Sequence, residues 1–388
     1  MAIIPNELIA LYELFNSFES AALFSDELIE DLPLICILAD KSGRVIRVNS
    51  FAEDFTFRKK NEIVGQPLDS IMSEQARRQL TSFYEQVAAG ENPDASFVEE
   101  SDEQFISWKA LVMDGPDADT PIIVVLGDDV TETVSLKSSV YSARTVQKAL
   151  LPTSFNVPGV AMRWVYESAE ATGGDWFDFR YDEASSRLFV CICDVNGHGT
   201  AAAMVTGCVS GLFHGVMHSL VQTKQDDEEL LNEFARTLNG SIYDILERAN
   251  RLLTMAAVSI NLKNGEGAYV SCGHPRVVQF GNGFAKPLLN RNSPIGIAGD
   301  LSFRSVRFRL QENESLFLYT DGLIENRDRN GRSLSSRELL DALKTEDSEE
   351  IKYNWLRQFT KGLECVSPHN DDTCLITLTR KPQEVSDE

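Results

Sequence analysis

Residues 187–199 read RLFVCICDVNGHG, an unbroken apolar run that stops on Asp194 and turns through Gly197 and Gly199. A continuous apolar run of this length, bounded by turn residues, predicts a strand buried on both faces. The carboxylate at its end then sits on the rim of a core. Three further segments repeat the design. EATGGDWFDF (170–179) places Asp175 after two glycines. ESLFLYTDGLIE (314–325) ends a second apolar run in Asp321 and Gly322, and HNDDTCLITLTR (369–380) sets Asp371 and Asp372 before a third. One Asp-Gly pair is an ordinary turn; four such ends in one domain predict a site. Converging carboxylates repel one another. Hard multivalent cations, Mg²⁺ or Mn²⁺, relieve that repulsion through all-oxygen ligation. Adjacent glycines let backbone carbonyls approach the ions too.

Outward from these segments, residues 152–380 alternate strand and helix patterns and predict one domain, followed by a polar tail, 381–388, expected to be disordered. Upstream, residues 31–131 predict an α+β unit. LPLICILAD (32–40) and RVIRVNS (44–50) form a hairpin through Lys41-Ser42-Gly43; short helical pieces and three more strand-like runs follow. That order predicts an antiparallel sheet with helices over one face. Residues 132–151 join the two units as a helix ending at Pro152. Leu136, Val140, Ala143, Gln147 and Leu150 fall on one heptad seam, the pattern of a parallel coiled-coil connector. Within residues 1–30, Leu8, Leu11, Phe15, Phe18 and Ala22 predict an amphipathic helix, suited to pairing with a second copy or to packing on its own domain.

The 388 residues carry a net charge of −23, with 43% hydrophobic and 24% charged residues. That composition suits a globular protein of two or three domains. The charge excludes a nucleic-acid binder, which needs a basic footprint, and it opposes anionic membranes. No apolar run is expected to reach the roughly 20 residues of a membrane span. The N-terminus contains Glu7 and no basic stretch, which argues against a secretory signal and for the cytoplasm. The seven cysteines complete no zinc pattern and read as reduced core thiols, Cys191 and Cys193 sharing one strand face. All five histidines lie outside residues 32–131, so a histidine-ligated haem in the first unit is excluded.

The stretch DKSGRVIRVNSFAEDF, with EIVGQPL and VVLGDDVTE in order behind it, resembles a PAS domain, a sensory fold of antiparallel sheet and helices; its ligand is left open, whether none, a small metabolite or a protein. The four aspartate segments together resemble the PPM/PP2C phosphatases, in particular their bacterial stress and sporulation branch (the SpoIIE, RsbU and RsbP type). VQKALLP, GGDWFD, DVNGHGTAAAMVTG, SCGHPRVVQF, SPIGI, LYTDGLIENRDRNG and NDDTCLITL follow in that family's order, and the PAS-linker-phosphatase layout is similar to the RsbP type. The resemblance implies an α+β protein in which a PAS domain is joined by a helical linker to an αββα sandwich. It implies two Mn²⁺ or Mg²⁺ ions. Asp194 would bridge them, the Val195 carbonyl would complete one shell, Asp175 and Asp321 would ligate, and Asp371 would hold the far ion. Asp372 is the alternative, because the family pattern D-D-x-T is shortened here. These aspartates would act through a metal-activated water, with no covalent phosphoenzyme. The same resemblance implies a phosphorylated STAS-domain anti-anti-sigma factor as substrate, in a partner-switching stress or developmental circuit, and a homodimer through the N-terminal and linker helices.

His198, in Gly-His-Gly at a helix start, is either a structural residue or a ligand or general acid; His274 in Cys-Gly-His-Pro reads as a turn brace. Two rival functions follow from the same sequence. A pseudo-phosphatase adaptor would bind the partners without turnover, but Asp175, Asp194, Asp321 and Asp371 are all present. A metal-dependent nuclease would need the basic patch that the chain lacks.

Overall fold

In the computed structural model, which describes residues 26–91, 93–101, 104–114, 121–221, 226–327, 331–345, 349–364 and 371–382, the chain divides into two compact units, residues 1–138 and 139–388. The helix expected over residues 8–28 lies almost wholly outside the described residues, as does most of the polar tail.

In the first unit the hairpin forms as expected. Asp40 Oδ1 accepts the Ser42 and Arg44 amides at 2.8 and 3.0 Å, and Gly43 takes φ 77°, closing β1 (Ile35–Asp40) on β2 (Val45–Val48). After α1 (Asp26–Asp31), α2 (Ser50–Thr56), α3 (Lys60–Ile63) and α4 (Glu74–Ala88), strands β3 (Asp94–Ser101), β4 (Gln104–Asp114) and β5 (Pro121–Asp129) complete an antiparallel sheet of order β2-β1-β5-β4-β3. Buried Asn49 starts α2: its Oδ1 accepts Ala52 N at 3.1 Å, an N-cap bond, and Cys36 N at 3.0 Å. The helical face holds Ile37, Leu80, Phe83 and Trp108. The opposite face is also apolar, with Cys36, Leu38, Val124 and Leu126 clustered with Ile29 and Leu32. Because β1 and β5 are buried on both faces, their sequences run apolar without alternation.

The second unit stacks two antiparallel five-stranded sheets. The first, β13-β10-β9-β8-β7, contains β7 (Asp175–Asp182), β8 (Arg187–Val195), β9 (Leu253–Asn261), β10 (Glu266–Cys272) and β13 (Val306–Arg309). The second, β12-β11-β14-β15-β6, contains β6 (Val160–Glu167), β11 (Val278–Gly281), β12 (Phe284–Pro287), β14 (Ser315–Tyr319) and β15 (Thr373–Arg380). Phe177, Ile192, Val258, Leu316 and Ile376 fill the space between the sheets. Helices α6 (Gly199–Val221) and α7 (Asp227–Ala249) cover the first sheet through Val205, Phe213, Phe234 and Leu238. On the second sheet, α9 (Ser336–Lys344) and α10 (Glu349–Glu364) bury Leu339, Leu343 and Leu356. Helix, sheet, sheet, helix is the expected αββα sandwich.

Three readings need correction. Residues 199–220 are long and apolar enough to cross a membrane, although no run of that kind was expected. The helix instead lays Ala202, Val205, Val209, Phe213 and Met217 into the core, which accounts for its apolar composition. The second concerns the connector α5 (Thr131–Ala149). Gln147 and Leu150, read as part of a seam for a second copy, engage their own unit: Gln147 is 5% exposed, and Leu150 packs on the α6/α7 core. Third, Cys208 is exposed, whereas the other five described cysteines are buried; Cys191 and Cys193 do share a face, with Sγ atoms 3.6 Å apart.

Candidate active site

Register places the first two aspartates together. Asp175 opens β7 and Asp194 lies one residue from the end of β8, and the two are direct cross-strand partners. Asp321 follows β14, at the start of the short helix α8 (Gly322–Glu325), and Asp371 precedes β15, the neighbour of β14. Carboxylate oxygens of Asp321, Glu325 and Asp371 all lie within 4.8 Å of one another. Thr320 ties the two sheets: its hydroxyl donates to Asp175 Oδ2 at 2.7 Å and accepts the Cys374 amide at 2.8 Å.

Glycine makes the approach possible. A Cβ on Gly174 would lie 2.4 Å from the Val195 carbonyl oxygen and 3.3 Å from Asp194 Oδ1. One on Gly322 would lie 1.7 Å from the Asp372 carbonyl oxygen. No other residue type fits at either point.

The adjacent pair Asp371 and Asp372 is divided. Asp372, 1% exposed, accepts the Ala169 amide at 2.7 Å and the Gly174 amide at 2.5 Å. It pins the loop before Asp175. Asp371 instead belongs to the group with Asp321 and Glu325.

The surroundings of the cluster disfavour charge on its carboxylates. Burial, and then the charges of Asp194 and Asp372, hold the Asp175 carboxyl well above the usual range. Burial, then Asp321, Asp371, Asp372 and Glu325, push Asp194 up to about 8. Burial and Asp321 push Asp371 up to about 6, and burial raises Asp321. A set of buried oxygen donors facing further carboxylates, beside a backbone carbonyl that Gly174 leaves open, fits a hard divalent cation of the Mg²⁺ or Mn²⁺ class.

His198 and His274 make their bonds outside this group. His198 Nδ1 pairs with Glu170 Oε1 at 2.8 Å, both side chains about half exposed. His274, 6% exposed, bonds Thr254 Oγ1 through Nδ1 at 2.8 Å, and burial drives it down to about 3. Thr254 is the cross-strand partner of Asp194, so His274 braces the neighbouring strand while staying neutral.

Two residues that reading the sequence did not single out for the site are close to it. Glu325 lies four residues after Asp321, a spacing that puts both on one helix face and was visible in DGLIE. Gln147 reaches the Gly173-Gly174 loop: its Nε2 donates to the Gly173 carbonyl at 2.6 Å, and its Oε1 accepts the Gly173 amide at 3.1 Å. Nothing in the linker sequence distinguishes that glutamine from a seam residue.

Comparison with known proteins finds relatives of both units. The family profile described as Stage II sporulation protein E (SpoIIE) matches residues 184–381, just over half of the chain, beginning after Asp175. A PAS fold profile matches residues 29–135. Over 194 residues the chain is 28% identical to the phosphoserine phosphatase RsbP of Bacillus subtilis (strain 168), covering 50% of this chain and 46% of that protein. Over 254 residues it is 26% identical to the phosphoserine phosphatase RsbU of the same organism, covering 63% and 71%. The chain thus spans about half the length of RsbP. The SiaA-PP2C domain of Pseudomonas aeruginosa superposes with a TM-score of 0.54 at 16% identity, covering 64% of this chain and 99% of that domain; at that identity the likeness shows the fold.

Proposed function

This chain belongs to the SpoIIE family, and on that premise we propose that it is a metal-dependent serine/threonine protein phosphatase governed by its PAS unit through the helical linker. The observation that carries the reading is the convergence of carboxylates from two sheets: buried Asp175 and Asp194 from one, half-buried Asp321 and Asp371 from the other. In this reading Asp175, Asp194, Asp321, Asp371 and the Val195 carbonyl would hold two Mn²⁺ or Mg²⁺ ions, with Glu325 beside Asp321 and Asp371. Asp372 is not among these ligands, since its oxygens already accept two backbone amides. When bound, such ions would supply charge neutralisation, activation of a water nucleophile and polarisation of the phosphoryl group.

The chain's own residues do the remaining work. Asp194 and Asp371 must give up the protons that burial favours, so the site assembles best above their raised pKa values. Thr320 fixes Asp175 relative to the second sheet. Gly174 keeps the Val195 carbonyl open to the site. Since the proposed attack comes from water, no side-chain nucleophile and no phosphoenzyme are required.

The substrate proposed here, by analogy with RsbP and RsbU, is a serine-phosphorylated STAS-domain anti-anti-sigma factor in a partner-switching circuit. A homodimer through the linker and a cytoplasmic setting complete the proposal. The test is phosphate release from such a phosphoprotein by the full chain with Mn²⁺. The reading expects turnover that EDTA abolishes. Binding without release, unchanged by metal, would support the adaptor reading instead.

A further inference from the structure

Asn326 follows α8 directly, is 1% exposed, and its side chain is spent on the segment that carries the last aspartates. Oδ1 accepts the Asp371 amide at 3.0 Å, and Nδ2 donates to the Asp371 carbonyl at 2.7 Å. Nδ2 also donates to Thr373 Oγ1 at 3.1 Å. A carboxamide that both donates to and accepts from one residue's main chain mimics a strand partner. It fixes the position of that peptide as well as its distance.

Register matters at this point more than elsewhere. Side chains of consecutive residues in an extended chain point to opposite sides, so a slip of one residue would put one of Asp371 and Asp372 where the other stands. In the fold, Asp371 joins Asp321 and Glu325, and Asp372 reaches Ala169 and Gly174. Asp372 N also donates to Asp371 Oδ1 at 2.9 Å. Either carboxylate has the chemistry to ligate a cation, so composition alone does not decide between them. Asn326 stands where the decision is made, because it leaves α8, which carries Glu325, and grips Asp371 by its backbone. The backbone amide of Asn326 meanwhile bonds the Gly322 carbonyl at 3.2 Å, which anchors the grip to the turn behind Asp321.

We propose that Asn326 is the positioning residue that holds this register, so that Asp371 rather than Asp372 completes the acidic group. The proposal rests on the reading of that group as a metal site and assigns Asn326 no contact with ion or substrate. The side-chain requirement is narrow. Aspartate keeps the acceptor and loses the donor, alanine loses both, and glutamine is one methylene too long for the same two-way bond. Residues that orient metal ligands typically govern affinity by ~10–100-fold.

The test is Mn²⁺ titration calorimetry on the full chain, with metal-free unfolding temperatures measured in parallel, for wild type, Asn326→Ala, Asn326→Asp, Asp371→Asn and the double variant Asn326→Ala/Asp371→Asn. The proposal expects Asn326→Ala and Asn326→Asp to bind Mn²⁺ at least ~10-fold more weakly. It expects the double variant to bind no more weakly than Asp371→Asn alone, because the two changes remove one and the same ligand. Wild-type Mn²⁺ affinity in both Asn326 variants, or losses that add to that of Asp371→Asn, would overturn it and leave Asn326 a structural residue. If Asn326→Ala does not fold, Asn326→Asp carries the comparison. Absence of Mn²⁺ binding by the wild type would instead overturn the metal-site reading itself, and this proposal with it.

Discussion

The Gln147 carboxamide makes two hydrogen bonds to Gly173, donating to its carbonyl at 2.6 Å and accepting its amide at 3.1 Å. Gly173 lies two residues before Asp175, and a Cβ on it would meet the Asp372 carboxylate at 2.5 Å. The last turn of the linker is therefore joined to the loop that Asp372 pins. Gln147→Ala would leave two buried backbone groups unpaired, at about 1–3 kcal/mol each. We expect the variant to stay folded by circular dichroism and to lose at least ~10-fold in Mn²⁺-dependent hydrolysis of p-nitrophenyl phosphate. Wild-type rates would make the linker end a passive tether.

Much of this site could be read in the sequence, because each aspartate stands at one end or the other of an apolar run, and such runs become buried strands whatever their order in the sheets. The sandwich was legible for the same reason. The division of Asp371 from Asp372 was not, since both stand before one strand and only the partners of each, Asn326 and Gly174, separate them. The fate of Gln147 and Leu150 was hidden as well. Heptad spacing shows that residues share a face and is silent on whether a second helix or the helix's own domain covers it.

Gly174 tests the close approach. In Gly174→Ala the added methyl would lie 2.4 Å from the Val195 oxygen, a separation that forces the backbone apart. The expected outcome is loss of Mn²⁺ binding by calorimetry with the first unit's fold retained. Unchanged affinity would remove the Val195 carbonyl from the site.

The pH dependence follows from the raised carboxylates. Asp194 rises from an ordinary 3.8 to about 8 on folding, so the metal-free folded state holds its proton more tightly than the unfolded chain does. Its contribution to stability is full below about pH 4 and is lost as pH rises toward 8. Asp194→Asn does not titrate. We expect metal-free Asp194→Asn to unfold at a higher temperature than wild type at pH 8, and the gap to narrow as pH falls and to close near pH 4. Saturating Mn²⁺ should reverse the order at pH 8 by stabilising wild type alone. Parallel melting curves across this range, without metal, would show that Asp194 is not in a cluster of this kind.

The linker seam, shortened by the engagement of Gln147 and Leu150, leaves Leu136, 60% exposed, Val140 and Ala143 for a second copy. Val140→Asp places a charge at the centre of what remains. Light scattering should then report a mass near 43.2 kDa, that of one chain, against twice that for wild type. A monomeric wild type would end the dimer proposal and leave the site untouched.

The central claim is that aspartates from two sheets form one metal-dependent phosphatase centre. Its most direct test is hydrolysis of a phosphoserine peptide by wild type, Asp194→Asn and Asp321→Asn across one Mn²⁺ titration, each checked for fold. The account predicts turnover in the wild type that rises with Mn²⁺ and stops with EDTA. It predicts a loss of at least ~100-fold in each variant, one from either sheet. Turnover in either folded variant at the wild-type rate, or wild-type turnover that survives EDTA, would contradict it.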